Sequence, residues 1–166
     1  MKISQKWKIR TVLTVLLLTF FVGEKQIEKL GDRYQYALPV LALGCSISNG
    51  QAVDYLLRYT AQLAIVHGSK NALGDAAINQ RPRGGLQGMP SGHTATAVFG
   101  ASNLVHECIQ KNPAVQAVVI AAAIFVGGSR IEAGAHNIWQ VLLGALVGWG
   151  CDRGFRRWFH KRRQIR

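Results

Sequence analysis

The sequence predicts an all-α fold: a six-transmembrane-helix bundle that carries its functional site at the outer helix ends. Three observations predict it. Apolar stretches recur between short polar breaks, basic residues crowd both termini, and 49% hydrophobic residues accompany only 17% charged ones. The 166 residues suffice for a single domain, here residues 1–166 as one membrane-embedded unit. The net charge of +12 sits on a chain too apolar for a disordered basic tail and too sparsely charged for a nucleic-acid-binding domain. Cys45, Cys108 and Cys151 are dispersed and form no CxxC pair, which excludes a disulfide-stapled mini-protein and a cysteine zinc site.

The first span is expected near residues 10–23, behind Lys2, Lys6, Lys8 and Arg10. Its basic start and short apolar core resemble a secretory signal. Val22-Gly23-Glu24-Lys25 offers no Ala-x-Ala-like cleavage site, so an uncleaved anchor is expected. Glu24–Gln35 carries charges of both signs at helical spacing and reads as an amphipathic helix on the outer surface. Spans near 36–49 and 53–68 follow, the latter interrupted by Arg58. A polar motif loop, 69–91, leads to spans near 92–109, 114–129 and 136–152. Each apolar core is shorter than the roughly 20 residues of a crossing helix, so taken singly each also fits a buried core helix.

Charge separates these readings. With six crossings and a cytoplasmic N-terminus, twelve of the twenty Lys and Arg fall on the cytoplasmic side and seven outside, with Arg58 inside a span. An even number of crossings thus obeys the positive-inside rule; four or five crossings with one interfacial helix is the alternative. Trp7, Trp139, Trp149 and Trp158 lie near the expected span ends, as anchors do. Gly127, Gly128, Gly144 and Gly148 suit close helix packing.

Three short pieces suit a phosphate anion: Lys70 with Arg81-Pro82, Pro90-Ser91-Gly92-His93, and Ser129-Arg130 followed by His136. The fourth span leads inward from His93, Lys111-Asn112-Pro113 turns the chain, and the fifth returns to Arg130 and His136, so all three pieces share one face. Arg81 and Arg130 can fork onto phosphate oxygens, and Lys70 adds a compact charge. Ser91 and Gly92 at a helix start offer free backbone N–H groups and the positive end of the helix. Two histidines then fill complementary roles: one attacks phosphorus, and the other protonates the leaving oxygen and later activates water. No HExxH, EF-hand loop or carboxylate cluster is present, so a route without metal or other cofactor is expected.

These pieces resemble the type 2 phosphatidic acid phosphatase superfamily, whose pattern is Lys, a spacer, Arg-Pro; then Pro-Ser-Gly-His; then Ser-Arg, five residues, His. Pro90-Ser91-Gly92-His93, Ser129-Arg130 with His136, and Arg81-Pro82 match. The resemblance implies that His136 is the nucleophile, His93 the general acid/base, and Lys70, Arg81, Ser91, Gly92 and Arg130 the phosphate ligands. There are two departures. The family's commonest lysine position is here Gly74, so either the spacer to Lys70 is longer or the lysine role is lost. Where the family usually has Asp four residues after the nucleophile, this chain has Gln140, which can accept the same hydrogen bond without a charge, or else simply faces a neighbouring helix.

The resemblance implies a bacterial inner-membrane lipid phosphatase whose site faces the periplasm. Its partners would be membrane lipids and a lipid phosphate or diphosphate in the outer leaflet: lipid A, polyprenyl diphosphate, phosphatidylglycerol phosphate or phosphatidic acid. Lipid-to-lipid phosphotransfer and non-catalytic anionic-lipid binding are the rival readings. Gly84-Gly85 and Gly88 make 71–89 a candidate mobile loop over the headgroup. His67, His106 and His160 read as interfacial or surface groups, and Glu132 as either a partner of Arg130 or another basic neighbour, or a plain surface loop charge.

Overall fold

The computed structural model describes residues 4–21 and 27–164, and the side chains of 18–21 and 155–164 lie outside that description. Lys2, Glu24, Lys25 and Arg166, and the side chains of Trp158, His160 and the basic tail, therefore fall outside the described residues. Six α-helices are present and no strand among the described residues: α1 (Gln5–Phe21), α2 (Ile27–Ser48), α3 (Ala52–Leu73), α4 (Gly92–Asn103), α5 (Pro113–Glu132) and α6 (Ile138–Gln164). A short 3₁₀ turn spans Ala77–Asn79, and α4 runs on into one π turn, Leu104–Cys108.

Consecutive helices alternate in direction, which defines two ends. At the far end, Lys8 bonds Asn49, Ser46 bonds Asn103, and Arg58 bonds Asp152. At the motif end, Arg83 meets Glu28 and Arg130 meets Asp32. α4 is the central helix. It is buried along nearly its whole length, because small residues on it and its neighbours let backbones touch. A Cβ on Gly144 would overlap the Ser91 carbonyl, and one on Gly148 the Ala95 carbonyl, so α6 lies directly on the first turns of α4. On the opposite side, a Cβ on Gly100 would stand 2.5 Å from the nitrogen of Pro39, where α2 crosses. Pro39 has no N–H to give, and its carbonyl accepts from the Tyr55 hydroxyl at 2.8 Å. Gly127 also packs closely, since a Cβ there would stand 2.9 Å from the Val141 side chain of α6, whereas Gly128 faces open space.

Large apolar side chains are exposed on five of the six helices. Leu17, Val40, Ile47, Leu56, Ile65, Ile124, Leu142 and Leu146 all project outward, as do Trp7, Trp139 and Trp149. Exposed apolar area on this scale marks a surface that meets lipid or another apolar partner. Among the described residues one helix, Pro113–Glu132, is long and apolar enough by composition to cross a membrane, with a mean hydropathy of 1.8.

One sequence expectation is corrected, and two further features have no forerunner in the sequence. The stretch expected to lie on the surface is, over 27–35, the first part of α2: Gly31, Tyr34 and Gln35 are buried there because α2 docks against the end of α5. Cys45 and Cys108, 63 residues apart, form a disulfide between the last turn of α2 and the π turn after α4. Arg58, which interrupts an apolar stretch, is buried with the carboxylate of Asp152; that carboxylate also accepts from Ser102 (2.6 Å) and Asn103 (3.2 Å).

Candidate active site

The motif end is built from the start of α4, the ends of α3 and α5, the loop 74–91 and the short α5–α6 connection. Ser91 caps α4: its Oγ accepts from the Thr94 N–H at 3.4 Å and from the Thr94 hydroxyl at 3.0 Å. Its own N–H donates to the Gln140 carbonyl at 2.9 Å, which ties α4 to α6. Gly92 is the first helical residue, where backbone donors have no partner within the helix.

Lys70 sits in the last turn of α3, its Nζ 3.8 Å from the position a Cβ would take on Gly92. It lies beyond the span expected at 53–68. Burial, and then the Arg81 guanidinium, hold its amine below the usual lysine range. Gly74 ends α3 at a φ of +45°, a conformation that favours glycine over lysine. Lys70 stands one helical turn before it. Asn79, fully buried, fixes the loop: it donates to the carbonyls of Lys70 (3.0 Å) and Gly74 (2.7 Å) and accepts from the Met89 N–H (3.1 Å). Arg81 is steadied by a 3.4 Å contact to the Gln87 carbonyl, yet its Nε is buried with no hydrogen-bond partner among the described residues. A buried donor left unmade is costly, and an anion beside Lys70 would satisfy it.

His136 is 2% exposed. Its backbone N–H donates to the Arg130 carbonyl, and its Nδ1 lies 3.2 Å from Oε1 of Gln140. The Gln140 amide has a fixed sense. Its Nε2 donates to the carbonyls of Ile78 (3.0 Å) and Gln80 (2.8 Å), while Oε1 accepts from the Asn137 N–H. Oε1 can therefore only accept from His136, so the proton is on Nδ1 and the lone pair on Nε2. His136 is within electrostatic reach of Lys70, Arg81 and His93. His93 in turn is within reach of Arg130, Lys70 and Arg81.

The structure thus brings Lys70, Arg81, Ser91, Gly92, His93, Arg130, His136 and Gln140 to one end. It adds two residues that the sequence reading treated as surface charges. Asp32 contacts Arg130 Nη1 at 2.8 Å and His93 Nε2 at 3.3 Å, and the Glu28 carbonyl accepts from Arg130 Nη2. With Ser129 Oγ on its Nε, Arg130 has a partner at every guanidinium nitrogen. The only forerunner of this in the sequence is the i, i+4 spacing of Glu28 and Asp32, which also fits a solvated face. Glu132 and His67 are exposed, and His106 turns its Nδ1 to the Ser102 carbonyl at the far end. Among the described residues, no three His, Cys, Asp or Glu side chains stand close enough to hold a metal ion.

Residues 9–164 match the model of the PAP2 superfamily. The chain is 45% identical over 134 residues to a lipid A 4'-phosphatase of Helicobacter pylori, an alignment covering 80% of this chain and 61% of that protein. The chain thus spans less than two thirds of that relative's length. No solved structure matches it significantly.

Proposed function

This chain belongs to the PAP2 superfamily, and from that membership we propose that it is a membrane-embedded phosphatase that removes a phosphate from a lipid through a phosphohistidine intermediate. The observation that carries the reading is the pair of imidazoles, His93 and His136, set among Lys70, Arg81 and Arg130 at one helix end. Nε2 of His136 attacks phosphorus in line with the leaving oxygen, and His93 gives that oxygen its proton. His93 then takes a proton from water, whose oxygen displaces His136 and frees inorganic phosphate. Negative charge on the equatorial oxygens is met by Lys70, by Arg81 through its unmated Nε, and by the N–H groups at Gly92. Arg130 closes the ring of positive charge. Side chains and helix end do the charge work, so no metal is assigned a step.

The related lipid A 4'-phosphatase makes a sugar phosphate on a multi-chain lipid the first substrate to try; polyprenyl diphosphate, phosphatidylglycerol phosphate and phosphatidic acid follow. The outward apolar side chains on five of the helices support six crossings of a bacterial inner membrane. Lys6, Lys8, Arg10, Lys111 and Arg153, with Arg156, Arg157, Lys161, Arg162 and Arg163 in the last turns of α6, outnumber the Lys and Arg toward the motif end, which supports a cytoplasmic far end and a periplasmic site. The Cys45–Cys108 bridge lies at that same end, its side chains 9% and 0% exposed.

The test is phosphate release by the purified protein from lipid A, and from short-chain phosphatidic acid in detergent. Release should persist in EDTA and fall a thousandfold or so in His136→Ala, as expected for loss of a nucleophile. No release from any of these lipids, or an unaffected variant, overturns the reading. A new phosphorylated lipid without free phosphate would make the enzyme a transferase instead.

A further inference from the structure

We propose that Asp32 is a positioning residue: one carboxylate on α2 holds His93 for proton transfer and clamps Arg130 beside it. The inference rests on the phosphatase reading above. The same oxygen, Oδ1, is 2.8 Å from Arg130 Nη1 and 3.3 Å from His93 Nε2. That sharing is not left to a swinging side chain. A Cβ on Gly31 would overlap Ser129 Oγ and stand 2.9 Å from Arg130 Nη2, so α2 is pressed onto the end of α5 and Asp32 is delivered into the site by the next residue.

The charges around His93 explain why a carboxylate belongs there. Arg130 from α5, Lys70 from α3 and Arg81 from the loop are all within reach of its imidazole, and Asp32 from α2 is the acid set against these three cations. Glu28, one turn earlier on α2, is spent on Arg130 (3.8 Å) and Arg83 (3.1 Å). His93 must hold a proton before the leaving oxygen departs, and Asp32 is the counter-charge to that imidazolium. Asp32 stays ionised throughout; the proton travels only between His93, the leaving oxygen and water. The two imidazoles are therefore supported by unlike groups. The neutral amide of Gln140 sets the tautomer of His136, while a carboxylate contributed by a distant helix orients His93.

The carboxylate also draws on Arg130, a phosphate ligand, so removing it should separate two kinetic constants. With the full-length protein in detergent and short-chain phosphatidic acid as substrate, Asp32→Asn should lower kcat roughly 10–100-fold, the usual scale of acid–base assistance. KM should not rise, and inorganic phosphate should compete as well as in wild type or better, since Arg130 is released toward the anion. The pH–rate profile should be displaced in Asp32→Asn and stay in place in Asp32→Glu, which should also recover part of kcat. Should Asp32→Asn fail to fold, the same constants are read on Asp32→Ser. A kcat within twofold of wild type in the charge-free variant overturns the assignment alone. So does a loss of activity that only tracks the loss of folded protein, with the pH profile unmoved. A wild-type protein that releases no phosphate overturns the phosphatase reading and this assignment with it.

Discussion

At the far end, Arg58 and Asp152 are 1% and 0% exposed, and Ser102 and Asn103 take up the rest of the carboxylate. At the motif end, Arg130 is as deeply set, at 3%, but its partner Asp32 is 42% exposed and shares one oxygen with a histidine that is 38% exposed. Both ends pair arginine with aspartate between helices distant in sequence. They differ in access. A sealed pair contributes by being complete, and removing one partner strands the other in a dry interior. A half-open pair can exchange its partner for an incoming anion, which is what a phosphate site requires.

The comparison breaks first at the far end. Arg58→Ala should cost about 3–5 kcal/mol of stability, the scale for orphaning a buried charge. Phosphatase activity per folded molecule should survive. The joint change Arg58→Met with Asp152→Leu should recover most of the loss, measured by thermal unfolding in detergent; a single variant as stable as wild type would show that the pair is not sealed.

Gln140→Asp comes next. It installs the residue the family usually carries, yet it should lower kcat about tenfold. It loses both donated bonds to Ile78 and Gln80 and sets a carboxylate against two carbonyls. Kinetics together with proteolysis of the 77–90 loop test it, and a gain in rate would sink the account of the amide.

A smaller effect concerns Lys70. Its amine is held below the ordinary lysine range by burial and by Arg81, so its charge is lost at lower pH than usual as pH rises. Inhibition by inorganic phosphate should weaken on the alkaline side, and the midpoint of that weakening should move up in Arg81→Gln. An unmoved midpoint would remove Arg81 from the surroundings of Lys70. Smallest of all, Arg83→Gln breaks an exposed pair with Glu28 and should change stability by under about 1 kcal/mol by the same unfolding measurement.

Much of the motif end was legible in the sequence. The alternation of apolar stretches brings His93, Arg130 and His136 to one end, and the residue types state their affinity for phosphate. Lys70 was half legible, because the positive φ at Gly74 that excludes lysine there appears only in the backbone. Asp32 and Glu28 were hidden for another reason. A solvated helix face and a face that meets a buried arginine 98 residues later have the same local spacing, and only the docking at Gly31 separates them. The disulfide and the Arg58–Asp152 pair were equally out of reach, since each joins positions linked by helix packing and by no local signal.

The central helix joins these two regions mechanically. From His93 to Cys108, α4 and its π turn form a rod of about 22 Å at 1.5 Å per residue. Its tail is bolted by the disulfide and by Ser102 and Asn103, and its head carries His93. On a lever that long, a tilt of about 3° at the bolts carries the head by about 1 Å, enough to spoil an aligned attack. Aim at one end of the bundle is thus set by rigging at the other.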